Sequence, residues 1–370
     1  MNERQTAKPR LLLASAYFPP KTGGLERYSF EMAKSALEHG FDVSVITSGD
    51  SKKTGSECTN GLHIYRLPIQ FKLSNTPFNI KWYRAIKKIL RQEKPDIINV
   101  HMPVSGLPDL VCLAAEDTPV VTTYHAGSMK KGRFFPDGFI DIYEKLFLPL
   151  TLKKADRIIC SSDFVRYEFL GKYNHKSVTV CPGVDTRIFS KRKAVPANKN
   201  VLFVGNFNYE WKGLRYLKEA IKLVRGATLH VVGDGKEIPS PNTFYHGELQ
   251  GQDLVEEIHK ARVLVLPSTS SAESFGMVLV EAMACGVPVI GTNIGGITTI
   301  ISDKKDGLLV APRNVESLAK SISFILDNPP EASVLAENAY KKVRAHFTWD
   351  KSTTKYLRVI TDLSNKPVKD

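Results

Sequence analysis

The chain has 370 residues, of which 42% are hydrophobic and 24% charged, and this length and composition predict a soluble globular protein with two domains. Its formal net charge of +13 indicates an anionic partner: nucleic acid, an anionic membrane surface or an anionic small substrate. The five cysteines show neither CxxC pairs nor metal-ligand spacing, and the apolar run 11–14 is too short for a secretory or membrane-spanning segment. We therefore expect a cytoplasmic protein with reduced cysteines.

Strand and helix patterns alternate along the first half of the chain, which is typical of parallel sheets with crossover helices. The predicted strands are 10–16, 41–47, 96–101, 119–125, 157–161 and 177–181. The predicted helices are 25–39, 81–93, 105–115, 138–154 and 163–171. This series predicts a Rossmann-like domain over residues 1–188.

The alternation lapses into polar, basic and proline-containing sequence over 184–199, the expected hinge, and then begins again. A second series of strands follows at 201–204, 228–232, 243–246, 263–267, 287–291 and 307–310. Its helices are predicted at 212–224, 253–261, 277–285 and 315–327, with two more at 332–346 and 351–363. We expect a second Rossmann-like domain over 189–349 and a C-terminal helix in 350–370 that completes the first. The fold class is α/β with two doubly wound domains.

The densest basic cluster is the stretch 81–91, which is predicted to be an amphipathic helix. Its apolar residues Trp82, Ile86, Ile89 and Leu90 share one face, and lysines and arginines occupy the rest. This pattern is typical of a helix that lies on an anionic bilayer, and it is also typical of an ordinary outer helix of an α/β domain. Of the two interpretations, the outer helix is preferred.

The most informative run is Glu273-Ser-Phe-Gly-Met-Val-Leu-Val-Glu281, which predicts a loop, then a helix beginning after Gly276. Glu281 is the only charged residue between Ser274 and Ser302, so it needs a partner or faces a cleft. Free amides at a helix N-terminus suit a phosphate, and carboxylates suit sugar hydroxyls. A nucleotide sugar has both groups. A solvated charge is the alternative for each glutamate taken singly.

Ligands of doubly wound sheets bind beyond the carboxyl ends of the strands, so the loops there supply the other candidates. Gly23 and Gly24 precede the first helix and let backbone approach an anion, although the loop lacks GxGxxG. His125 ends a strand and suits donation to a sugar hydroxyl. The strand-end segments of the second domain that could flank a diphosphate or a base contain Asn206, Lys212, Gly233, Glu248 and Leu249. Each of these loops could also be a simple structural turn.

Over nearly its whole length, the chain resembles the family 4 retaining glycosyltransferases, whose GT-B fold has two Rossmann-like domains facing across a cleft. The Glu273/Glu281 pair, followed by Ala-Met-Ala-Cys-Gly-Val-Pro-Val-Ile, is the most specific match. The other matching segments are Pro19-Pro-Lys-Thr-Gly-Gly24, Tyr124-His125, Ala155-Asp156, Pro182-Gly-Val-Asp185, Lys212-Gly213, Val232-Gly-Asp-Gly235 and Gly295-Gly296.

The resemblance implies a role for each matching position. Glu281 would hold the ribose hydroxyls, Glu273 would lie near the donor sugar, and Lys212 would neutralise the diphosphate. His125 would contact the sugar, and Gly24 would approach the diphosphate. Residues Ser274, Phe275, Gly276 and Met277 would bring backbone amides to phosphate or sugar oxygens. The family usually has an arginine where this chain has Asn206, so one cation is missing.

The expected activity is hexosyl transfer from a nucleotide-diphosphate sugar to a hydroxyl of a lipid-linked, polysaccharide or small-molecule acceptor. No DxD pair is present to hold a divalent ion, so we expect a metal-independent reaction without cofactor. A nucleotide-sugar epimerase or glycan phosphorylase is the alternative on the same architecture, and a nucleic-acid-binding protein is suggested only by the basic charge. Arg133-Phe-Phe135, Phe147-Leu-Pro-Leu150 and the 81–91 helix could form a rim for a lipid-linked acceptor, with peripheral contact to the inner membrane surface.

Overall fold

A computed structural model describes residues 8–21, 23–73, 76–127, 138 and 140–364. They form two compact units. The first comprises the described residues of Met1–Ser161, Val165–Val180 and Thr353–Asp370, and the second comprises Ser162–Phe164 and Cys181–Ser352. The sequence placed the boundary after residue 188, whereas the chain divides after Val180. The segment expected to be a hinge lies in the second unit, where the Arg192 amide donates to the Cys285 carbonyl at 3.0 Å.

The first unit contains an eight-stranded sheet in the order β10-β9-β8-β7-β1-β2-β4-β3. All neighbours are parallel except β3 and β4. The central strands are buried on both faces and mostly apolar, as coverage by helices on both sides requires. The strands are β1 Arg10–Ala14, β2 Asp42–Gly49, β3 Gly55–Thr59, β4 Leu62–Pro68, β7 Ile97–Met102, β8 Val120–Tyr124, β9 Arg157–Cys160 and β10 Ser177–Thr179, and β5 Phe71–Leu73 pairs with β6 Thr76–Phe78.

The helices that cover this sheet are amphipathic, and their buried faces account for the pattern in the sequence. They are α1 Gly24–Glu38, α2 Trp82–Glu93, α3 Leu107–Ala114 and α4 Leu148–Lys154, with a π-helical turn Tyr143–Phe147 before α4. Further turns lie at Phe164–Phe169 and Gly171–Lys176. In α2, Trp82, Ile86 and Ile89 are buried in the unit's own core. The outer-helix interpretation of 81–91 is therefore right, and this apolar face is not available to a bilayer.

Two strands of this sheet were not predicted. β3 and β4 form an antiparallel pair between residues 55 and 68, and β4 also pairs with β2. β3 is exposed along its whole length and carries polar side chains, so it has no hydrophobic pattern. β4 has buried residues at Leu62, Ile64, Tyr65 and Leu67 with half-buried residues between them, which gives only a short and irregular period-two signal.

The second unit contains a six-stranded, all-parallel sheet in the order β13-β12-β11-β14-β15-β16. Its strands are β11 Asn200–Val204, β12 Thr228–Val232, β13 Thr243–Tyr245, β14 Val263–Leu266, β15 Val289–Thr292 and β16 Leu308–Val310. Its helices are α5 Leu214–Lys222, α6 Gly251–Lys260, α7 Met277–Ala284, α8 Ile297–Ile300, α9 Val315–Asp327 and α10 Pro329–His346. Buried side chains cover both faces of the sheet.

The last helix, α11 Trp349–Ser364, begins in the second unit and continues in the first. In the first unit it contributes the fully buried Tyr356, whose hydroxyl donates to Asn99 Oδ1 of β7 at 3.1 Å. Among the described residues, no helix combines the length and apolar character that a bilayer crossing requires.

Candidate active site

Each sheet has a topological switch point, where two neighbouring strands lead to connections that run toward opposite edges of the sheet. Ligands of doubly wound sheets bind at this point, beyond the carboxyl ends of the strands. In the second unit this point lies between the neighbouring strands β11 and β14. The loop after β11 leads into a 3₁₀ turn, Glu210–Lys212, and the loop after β14 contains Glu273. Lys212 had been expected to open the next helix. It instead ends this turn, and α5 begins at Leu214.

Lys212 and Glu273 form an ion pair at this point. Lys212 Nζ lies 2.7 Å from Glu273 Oε2, and the side chains are only 18% and 10% exposed. The Ser268 hydroxyl donates to the same oxygen at 3.0 Å, and the ammonium lies 4.7 Å from the centre of the Trp211 ring. A cation is thus held in a partly desolvated position, where its field acts strongly on a nearby anion.

Glycines let these loops pack closely. Gly213 has φ +76°, and a Cβ there would lie 1.9 Å from the Pro267 carbonyl oxygen. A Cβ at Gly296 would lie 1.8 Å from the Ser274 carbonyl oxygen, while the Gly296 amide donates to the Glu273 carbonyl at 2.8 Å. Gly213 thus packs against Pro267 before Glu273, and Gly296 packs against Ser274 after it. Both glycines therefore help to fix the loop that carries Glu273.

The helix α7 begins as the sequence predicts, after Gly276 at φ +102°. The Phe275 side chain is buried and packs edge-on against Phe347, so only its backbone can meet a ligand. Glu281 lies on this helix and is 6% exposed. Ser274 and Met277 are half-buried at the helix start.

Asn206, at the position where an arginine was expected, is held by a carboxylate. Asn206 Nδ2 and Asn208 Nδ2 donate to Asp234 Oδ2 at 3.0 and 3.1 Å. Gly233, with φ +135°, permits this approach because a Cβ there would lie 2.1 Å from the Gly205 carbonyl oxygen. The Gly233 amide also donates to the Gly247 carbonyl at 2.7 Å, directly before Glu248 and Leu249. Glu248 is exposed and Leu249 packs partly against the core.

In the first unit, the corresponding switch point lies between β1 and β7. Gly23 is extended and Gly24 begins α1, so the amides of this helix end point toward the loop after β1. Glu26 lies in the first turn, where burial raises the pKa of its carboxyl group. A Cβ at Gly24 would contact nothing within 4 Å, so the site is open at this residue.

His125 is paired with His101, which sequence reasoning missed. His101 Nδ1 lies 2.9 Å from His125 Nε2, the two rings are stacked, and Tyr28 packs edge-on against both. Burial lowers the pKa of His125 to about 3, and burial followed by the neighbouring His125 lowers that of His101 well below its ordinary value. Both rings are therefore neutral near pH 7. His101 is the next-to-last residue of β7 and His125 directly follows β8, so the strand-end rule could have found it.

The pairing selects a tautomer for His125. His101 Nε2 is buried without a hydrogen-bond partner, and leaving a lone pair unsatisfied costs less than leaving an N–H unsatisfied. His101 therefore carries its proton on Nδ1 and donates to His125 Nε2. This leaves the proton of His125 on Nδ1, where it can donate to a ligand.

Family models match both units of the chain. The model for glycosyltransferase family 4 matches residues 22–188, and the model for glycosyl transferases group 1 matches residues 185–342. The chain belongs to the family 4 glycosyltransferases. It is an enzyme of this class with the GT-B fold, as the sequence resemblance implied.

Relatives and solved structures agree with this assignment. The chain is 27% identical to O-antigen chain mannosyltransferase C of Escherichia coli, over 94% of this chain and 96% of that protein. It is 23% identical to the phosphatidyl-myo-inositol mannosyltransferase of Mycolicibacterium smegmatis, over 94% and 92%. HepE of Anabaena, solved with UDP and glucose, superimposes with a TM-score of 0.75 at 17% identity, over 95% of this chain and 99% of that one.

The neutral histidine pair makes the first unit sensitive to acid. The folded-state pKa of His125 is lowered, so between about pH 6.5 and 3 the unfolded chain binds a proton that the folded chain does not. Its contribution to stability is complete above pH 6.5 and falls with pH. Between pH 7 and pH 5 the free energy of unfolding of the first unit should therefore fall by about 2 kcal/mol. Hydrogen exchange of the β7 and β8 amides, corrected for intrinsic rates, measures this fall.

In His125→Asn this pH-dependent loss should be smaller by about the same 2 kcal/mol. The exposed His175, replaced in His175→Asn, serves as the matched control and should leave the loss unchanged. An unchanged loss in His125→Asn would show that His125 is protonated in the folded protein at pH 5.

Proposed function

We propose that this glycosyltransferase transfers a hexose with retention of anomeric configuration, without a metal ion or cofactor, to a hydroxyl of a lipid-linked or polysaccharide acceptor. The observation that carries the proposal is the Lys212 ammonium, held by Glu273 at the switch point of the second unit. In this proposal the second unit binds the nucleotide-diphosphate sugar. The anionic diphosphate lies against Lys212 and the amides at the start of α7, and Glu281 accepts hydrogen bonds from the ribose hydroxyls.

The chemistry follows from the charges that develop. As the bond between the anomeric carbon and the diphosphate oxygen breaks, the sugar becomes positive and the leaving diphosphate gains negative charge. Lys212 and the α7 N-terminus stabilise that negative charge. The acceptor oxygen forms the new bond to the anomeric carbon on the same face, and its proton passes to the departing phosphate oxygen. Glu273 accepts hydrogen bonds from Lys212 and Ser268 and so fixes the position of the Lys212 ammonium.

The remaining predicted site residues are assigned supporting roles within their own units. In the second unit, Glu248 and Leu249 flank the base, and the loop of Asn206 and Gly233 closes beside the diphosphate. In the first unit, His125 donates from Nδ1 to a sugar hydroxyl. Gly23 and Gly24 bring the α1 amides near anionic oxygen. His101 acts through His125 and is a positioning residue.

The lipid-linked acceptor is supported by an exposed apolar surface in the first unit. Around α4, the side chains of Ile142, Leu146, Phe147 and Leu150 are 52–63% exposed. Lys145, Lys153 and Lys154 lie on the same stretch and are exposed. Apolar residues beside lysines suit peripheral contact with an anionic membrane surface. The expected rim residues Arg133-Phe-Phe135 lie outside the described residues.

The proposal is tested with a panel of UDP-, GDP- and ADP-hexoses in excess EDTA. We expect release of nucleoside diphosphate from one or two donors at a rate unchanged by EDTA. Proton NMR of the product should show the anomeric configuration of the donor. Turnover that requires added Mg²⁺ or Mn²⁺ would contradict metal independence, and an inverted product would contradict retention.

Glu281→Ala should lower kcat/KM for the preferred donor by an amount equivalent to about 2–4 kcal/mol, because charge-assisted hydrogen bonds to the ribose are lost. Glu316→Ala, which removes an exposed carboxylate from the first turn of α9, is the matched control and should keep wild-type kinetics. Wild-type turnover in Glu281→Ala would contradict the proposal that Glu281 binds the ribose hydroxyls.

A further inference from the structure

Three side chains outside the proposed donor site converge in the second unit. His230 lies on β12, His246 follows β13 directly, and Glu257 lies on α6. His230 pairs in register with Phe244, and His246 lies two residues further, so both imidazoles occupy one face of the sheet. Glu257 lies on the buried face of α6, beside Leu254 and Ile258.

The atoms that converge are all metal ligands. His230 Nδ1 lies 2.9 Å from His246 Nε2, and Glu257 Oε1 lies 3.3 Å from the first and 3.5 Å from the second. The point equidistant from the three atoms in their plane lies about 1.9 Å from each, close to the usual zinc–ligand distance of about 2.0–2.2 Å. An ion about 0.8 Å out of this plane would lie about 2.05 Å from all three, as tetrahedral coordination requires.

A hydrogen bond explains this arrangement less completely than a cation does. A single proton between His230 Nδ1 and His246 Nε2 satisfies only those two nitrogens. Glu257 Oε1, at 3.3 and 3.5 Å from them, would then make only long contacts. A cation at the common point serves all three lone pairs at once.

The charges also favour a cation. The Glu257 side chain is only 5% exposed, and its second oxygen accepts from Lys260 Nζ at 3.1 Å, which leaves Oε1 for another partner. The His230 and His246 side chains are 18% and 29% exposed, so an ion and a water ligand can reach the site.

We propose that His230 Nδ1, His246 Nε2 and Glu257 Oε1 bind one divalent ion of the zinc class, with water as the fourth ligand. Two imidazoles and one carboxylate suit Zn²⁺ or Co²⁺, whereas Mg²⁺ prefers oxygen ligands in an octahedron. The ion ties β12, the chain after β13 and α6 together. It takes no part in the transfer reaction, because none of its ligands belongs to the residues assigned to the donor.

The test uses the full chain, stripped of metal with EDTA and exchanged into chelator-free buffer at pH 7.5. Calorimetric titration with ZnCl₂ should show one saturable site, and a parallel titration with MgCl₂ should show none. X-ray absorption of the zinc-loaded protein should show nitrogen and oxygen ligands at about 2.0–2.1 Å. Absence of saturable zinc binding, or a first shell that contains sulfur, would overturn the proposal.

Variants separate this site from adventitious binding. His246→Ala and Glu257→Gln should each weaken zinc binding at least about 100-fold, since each removes or neutralises a direct ligand. His175→Ala, a substitution at an exposed histidine elsewhere, should bind zinc as the wild type does. Circular dichroism of each variant checks folding. Unchanged affinity in folded His246→Ala and Glu257→Gln would show that zinc binds elsewhere and would refute the assignment.

Discussion

The ion pair between Lys212 and Glu273 is the interaction on which the site of the second unit depends. It joins the two loops that leave neighbouring strands β11 and β14, and both partners are largely removed from water. Burying two charges is costly, and the Ser268 hydroxyl and the Trp211 ring offset part of that cost. The glycines at 213 and 296 serve the same end, because any side chain there would push the loops apart.

A fixed ammonium beside a helix N-terminus is a suitable environment for a diphosphate that gains charge as it leaves. In the proposed mechanism the leaving phosphate accepts the proton, so the proposed site of a cation, two carboxylates and backbone amides needs no protein base. In the first unit, the neutral His101–His125 pair provides a directed hydrogen-bond donor without adding charge.

Most of the fold could be predicted, because buried parallel strands are continuous apolar runs and their order along the chain is regular. β3 escaped prediction because an exposed edge strand has no apolar run, and β4 because polar residues interrupt its buried ones. The strand-end rule predicted that Lys212 and His125 follow strands, and both do. It could not show that Lys212 contacts Glu273, that Asp234 engages Asn206, or that His230, His246 and Glu257 converge, since each of these contacts joins separate elements.

The central claim is that the Lys212 charge holds the diphosphate. Calorimetry should compare a nucleoside diphosphate with the corresponding monophosphate in the wild type, in Glu273→Gln, and in Lys212→Met combined with Glu273→Gln, which avoids an unpaired buried carboxylate. The account predicts that the double variant, compared with Glu273→Gln, loses at least about tenfold in diphosphate affinity, equivalent to about 1.4 kcal/mol, and most of its preference over the monophosphate. Wild-type diphosphate affinity in the folded double variant would contradict it.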